Sequence, residues 1–144
     1  MTPEAKFREW LKKNLDKDWF VQTIENTTQN GIPDMNVLVP NVGEVWIELK
    51  AYKSYLKKWQ LSWIKKRQKK NGAVMVIVQK SNGYDIYYND FLSELLPSGH
   101  IKIKSEPTKT AQNIREIEQQ IIACIRQNQL NIETDNQLMT ELDE

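Results

Sequence analysis

The chain has 144 residues, 40 % of them apolar, with five Trp, five Tyr, three Phe and a net charge of +1. That is enough for one domain with one sizeable core. Its single Cys (Cys124) and single His (His100) exclude Cys/His zinc sites and any internal disulfide, and leave histidine-based catalysis only one candidate.

The five glycines are scattered, so no phosphate-cradling or dinucleotide-binding glycine loop is present and no nucleotide cofactor is expected. No apolar run approaches the roughly 20 residues of a membrane span. No signal peptide is recognisable, so the expectation is a soluble, intracellular (cytoplasmic) protein without membrane contact. Charge is unevenly placed. Residues 1–104 carry 17 Lys/Arg against 11 Asp/Glu, and residues 105–144 carry 3 against 8. Residues 51–70 hold eight basic side chains and no acid, namely Lys53, Lys57, Lys58, Lys65, Lys66, Arg67, Lys69 and Lys70. Such a run suits a phosphate backbone.

In chain order, Thr2 caps a first helix with Pro3 at its first position, and Phe7, Trp10 and Leu11 carry it to about Leu15. Trp19–Glu25, rich in aromatic and β-branched residues, reads as a strand. A polar loop runs from Asn26 to Gly31. Pro33–Val39 reads as a second strand, Pro40–Gly43 as a turn, and Glu44–Lys50 as a strongly alternating third strand. A basic amphipathic helix is predicted over about Ser54–Lys70, stopped by Asn71-Gly72. Ala73–Val78 is a continuous apolar run, as in a strand buried on both faces.

Ser81-Asn82-Gly83 then turns the chain into Tyr84–Tyr88. A short helix is predicted near Phe91–Leu96 and an edge strand at His100–Lys104. Thr108 to about Gln127 reads as a last helix with Ile114, Ile117, Ile121 and Ile125 on one stripe, either core or a dimer contact. From about Asn131 an acidic, frayed tail is expected. The division is therefore a domain over 1–104, a helix over 105–130 that packs on it or dimerises, and a disordered tail over 131–144. The fold class is α/β: helix, three-stranded meander, helix and strand around a mixed sheet, with a C-terminal helical appendix.

Alternation in the third strand puts Glu44, Trp46, Glu48 and Lys50 on one face and Val45, Ile47 and Leu49 on the other, core face. A hairpin around Gly43 brings Asp34 towards Glu48. Two neighbouring carboxylates resist joint ionisation unless a cation lies between them. Oxygen ligands without His or Cys select Mg²⁺ or Mn²⁺. Such an ion activates water and offsets charge on a scissile phosphate, with Lys50 placed to orient that water or stabilise the transition state.

Pro33-Asp34 followed by Glu48-Leu49-Lys50 resembles the PD-(D/E)XK nuclease signature. With Ile24-Glu25-Asn26, Gly31-Ile32, Trp46-Ile47, Gln60 and Trp63, residues 4–80 or so are similar to phage-type VRR-NUC nucleases and Holliday junction resolvases. The resemblance implies a restriction-endonuclease-like fold, with Asp34, Glu48 and the Leu49 carbonyl as Mg²⁺ ligands and Mn²⁺ able to substitute. It implies Lys50 as catalytic lysine, Gln60 as the residue that orders the site, and Glu25 as a further acidic group. Glu4 resembles a helix-1 acid of several resolvases.

The expected activity is metal-dependent endonucleolytic cleavage of branched or four-way DNA by a homodimer. The alternatives are a less selective nicking or end-processing phage nuclease, or an idle DNA-binding module. Lys53, Lys57, Lys58, Lys65 and Lys66 are the expected backbone contacts, without base-specific readout. Trp59 and Trp63 are expected to pack on the sheet.

Overall fold

The computed structural model describes residues 1–24 and 31–143. The first helix, α1 (Pro3–Asn14), begins where expected: Thr2 Oγ1 accepts from Ala5 N–H at 3.1 Å and Pro3 opens the first turn. Then come β1 (Phe20–Thr23), β2 (Met35–Val39) and β3 (Gly43–Ala51), an antiparallel meander with Phe20 opposite Leu38 and Met35 opposite Ile47. Helix α2 (Lys58–Lys69) crosses from β3 to the parallel strand β5 (Val74–Lys80), pairing Glu48 with Val76. Antiparallel β6 (Gly83–Tyr87) and β9 (Lys109–Ala111) complete a six-stranded mixed sheet in the order β1-β2-β3-β5-β6-β9. A second sheet, β4-β8-β7, joins β4 (Tyr55–Leu56), β8 (Ile101–Ile103) and β7 (Ser93–Leu95).

Both faces of the large sheet are covered. On one face Val45, Ile47, Leu49, Met75 and Ile77 pack with Phe7 and Leu11 of α1 and with Ile117, Ile121 and Ile125 of the final helix α3 (Ile114–Asp143). On the other face Val74, Val76 and Val78 pack with Ile64 of α2 and with Leu56, Ile101 and Ile103 of the small sheet. The alternation along β5 thus feeds two cores, which is why its sequence reads as an unbroken apolar run. Glu48 and Lys50 lie on the second face and are buried, at 3 % and 7 % exposure.

Five sequence expectations need correction. The basic helix begins at Lys58, because Tyr55–Leu56 pairs with Ile101–Lys102 and is drawn into the small sheet. The short helix near Phe91–Leu96 is the edge strand β7, held by pairing across the Pro97–Gly99 turn to β8. The strand expected as an edge at His100–Lys104 is β8, the middle strand of the small sheet, because β4 pairs with its other side. The final helix begins at Ile114, not Thr108: Asn113 Oδ1 accepts from Glu116 N–H at 3.0 Å, capping it there, and Lys109–Ala111 extends the sheet beside β6. It also runs on to Asp143. Residues 131–143, expected as a frayed tail, contain neither Gly nor Pro, so nothing in the segment breaks the helix that enters it. Among the described residues no helix is long and apolar enough to cross a membrane.

Candidate active site

The β2–β3 ladder ends at Met35↔Ile47, which leaves Asp34 and Glu48 facing each other just past its last rung. Asp34 does not continue the strand. Its Oδ2 instead accepts from Leu49 N–H at 2.9 Å, taking the place of a ladder partner and fixing the carboxyl beside β3. From α1, Arg8 reaches Asp34 Oδ1 at 3.9 Å. The approach of this segment to α2 depends on Gly31. At φ +80°, a side chain here would put its Cβ 2.2 Å from the Trp59 carbonyl oxygen.

Gln60, in the first turn of α2, connects the remaining groups. Its Oε1 accepts from Lys50 Nζ at 3.0 Å and from Lys57 N–H at 2.9 Å, and its Nε2 donates to Glu48 Oε2 at 2.9 Å. The two donors at Oε1 and the acceptor at Nε2 admit one orientation of the amide. Lys50 Nζ lies 3.5 Å from Glu48 Oε2. Burial, then the Asp34 charge, raise the Glu48 carboxyl well above the usual carboxylate range, with Lys50 opposing.

A cleft of about 510 Å³ opens on Lys50 and Gln60, while Asp34 and Glu48 lie behind its lining. Glu4, Lys53 and Lys57 also line it, with Tyr55 of β4 and with Ser98 and His100 from the connection between β7 and β8. His100 Nδ1 lies 3.1 Å from Ser98 Oγ. Among the described residues no cluster of three or more His, Cys, Asp or Glu is present, so Asp34 and Glu48 stand as a pair.

The five lysines named from the sequence do not share one surface. Lys53 and Lys57 border the cleft, and Lys58 is exposed. Lys65 is 3.1 Å from Asp90 and lies over the Phe91 ring at 4.5 Å. Lys66 lines a different cavity of about 690 Å³ at the far end of α2, with Glu44, Trp63 and Arg67. Trp63 packs edge-on against Trp46 at 5.4 Å, while Trp59 is 38 % exposed under Lys57 and so corrects the expectation that both tryptophans pack on the sheet. Glu25 lies outside the described residues. Sequence reasoning misses Arg8, whose only signal is the four-residue spacing from Glu4 on a helical face.

No family model and no curated protein matches the sequence, whereas eleven solved chains do match. One is from Archaeoglobus fulgidus: Hjc, a Holliday junction resolvase from an archaeal hyperthermophile. It matches at TM-score 0.50 and 11 % identity, over 81 % of this chain and 96 % of that one. The fold is that of a resolvase. Its mixed sheet and C-terminal helix are of the restriction-endonuclease-like kind, and β3, with Glu48 and Lys50, lies at its centre.

Proposed function

We propose that this protein is a divalent-metal-dependent endodeoxyribonuclease of the PD-(D/E)XK superfamily, acting on branched DNA in the manner of a Holliday junction resolvase. The observation that carries the reading is the Asp34–Glu48–Lys50 group, ordered by Gln60, at the centre of a resolvase-like sheet. Two facing carboxyls, one of them buried and resisting ionisation, form a site whose electrostatics favour a cation.

The donor set fits Mg²⁺ or Mn²⁺. Asp34 and Glu48 would hold the ion, with the Leu49 carbonyl as third protein ligand and water completing the shell. When bound, the metal supplies Lewis acidity and an activated water. The chain's own groups do the rest. Gln60 holds Glu48 and Lys50 in fixed relation, so neither has to reorganise when a phosphate arrives. Lys50 presents its ammonium to the charge that develops on the phosphodiester. Arg8 and the Leu49 N–H hold Asp34 in place, and Lys53 and Lys57 attract the DNA backbone into the cleft.

Resolution of a four-way junction needs two cuts related by two-fold symmetry, and each chain carries one such group. Two copies would therefore act together through an isologous contact. The Ile114–Ile125 stripe, one candidate for that contact, is not free for it, because Ile117, Ile121 and Ile125 are buried against the sheet. A second candidate is the exposed edge near residues 84–104, where Leu92 and, in the edge strand β7, Leu95 are exposed. On a cruciform plasmid with Mg²⁺, the protein should give linear product by paired incision within one complex. Accumulation of nicked circles by a monomer would favour a nicking nuclease, and cleavage of linear and branched DNA at equal rates would remove the junction preference.

A further inference from the structure

Tyr52 follows the candidate lysine Lys50 by two residues and sits at φ +69°. A bulky side chain seldom occupies this left-handed region. Two hydrogen bonds hold it there: its N–H donates to Gln79 O at 2.7 Å, and Lys80 Nζ donates to its carbonyl at 3.1 Å. Burial does not offset the strain, since the residue is 55 % exposed. Backbone strain that the surroundings over-determine concentrates where ligands are held.

The residue borders a cavity of about 340 Å³ formed with Pro3, Lys6, Phe7, Trp10 and Gln79. That volume lies within the usual range of small-molecule sites, about 300–1,000 Å³. Two of its aromatic residues are held by stacking. Trp10 stacks on Tyr84 at 5.6 Å and 12°, and Phe7 stacks on the same tyrosine at 5.5 Å. Lys6 supplies a cation and Gln79 an amide. The cavity adjoins the cleft of the candidate active site: Pro3 and Tyr52 border one, and their neighbours Glu4 and Ala51 border the other.

We propose that this cavity binds an unpaired nucleobase of the DNA strand entering the candidate site. Tyr52 and Trp10 supply the stacking faces, and Lys6 contacts the adjoining phosphate. Aromatic rings combined with lysines suit single strands because every base offers a π face whatever its identity. The inference rests on the nuclease reading and adds to it the unpairing of one nucleotide beside the cut, which at a fully paired junction takes place in the complex.

Anisotropy with a short labelled oligo-dT and a blunt duplex of equal length, in EDTA, tests it. Glycine adopts positive φ without steric penalty, and this offsets its entropic cost in the unfolded chain, so Tyr52→Gly should fold with a Tm close to that of the wild type. It should nevertheless bind oligo-dT roughly 5- to 100-fold more weakly, while duplex binding changes much less. Tyr52→Phe should retain wild-type affinity, and Lys6→Ala should weaken oligo-dT binding with a shallower salt dependence. Equal binding of oligo-dT by wild type and Tyr52→Gly would overturn the inference, as would equal losses on oligo and duplex. Failure of the wild type to bind either DNA would instead remove the nuclease reading beneath it.

Discussion

Gln60 makes three hydrogen bonds, to Glu48, Lys50 and the Lys57 N–H. Alanine in its place leaves a buried carboxyl and a buried ammonium without their shared partner, free to collapse onto each other. Supporting residues of this kind are worth roughly 10- to 100-fold in activity, and Gln60→Ala should lose that much in kcat with junction affinity retained. A matching loss in affinity would show Gln60 to be a DNA contact instead. Glu48 makes a prediction about stability. The folded protein holds the Glu48 proton more tightly than the unfolded chain does. Its contribution is therefore fully present below the unfolded-state pKa and declines as pH rises through the raised folded value. Glutamine cannot ionise. In EDTA, Glu48→Gln should be the more stable protein at neutral pH, and its Tm should fall less from mildly acidic to neutral pH. Thermal melts across that range check both, and a variant less stable at every pH would contradict them.

The elements differ in how openly their sequences declare them. The meander, the crossover helix and β5 are carried by local patterns: Thr2-Pro3, the alternation of Glu44–Lys50, the Asn71-Gly72 stop and the apolar run of Ala73–Val78. Strands β4, β7 and β9 span only two or three residues each and exist through pairing with distant segments. Tyr55-Leu56 and Phe91–Leu96 carry local helical signals, and tertiary pairing overrides them. In the site, Asp34, Glu48, Lys50 and Gln60 are legible from motif and strand phase. Arg8, Ser98 and His100 are not, because the topology and not the spacing brings them near. The placement of the lysines along α2 and its approach gives a test at this scale. Neutralising Lys53 and Lys57 should flatten the salt dependence of DNA binding by about 0.9 in log–log slope for each phosphate left without its lysine. Neutralising Lys65, already engaged by Asp90 and Phe91, should change it little. The same slope change from Lys65 would mean that DNA runs along the whole helix.

At the scale of the whole molecule, a two-faced sheet buries the acidic strand end that an ordinary surface strand would leave in water. One core anchors α1 and α3, and the other carries α2 and the small sheet. Between the second core and solvent lies the cleft onto which Lys50 and Gln60 open. The scaffold thus supplies a desolvated, pre-ordered group of charges with a basic approach. Whether this group cuts DNA is read most directly from single-turnover cleavage of a labelled four-way junction. With Mg²⁺ the wild type should cleave, and with EDTA it should bind without cleaving. Asp34→Asn should bind at least as tightly and not cleave, because a negative charge near phosphate has been removed. Cleavage by Asp34→Asn at close to the wild-type rate, or undiminished wild-type cleavage in EDTA, would show that the Asp34–Glu48–Lys50 group and a bound metal do not carry the chemistry.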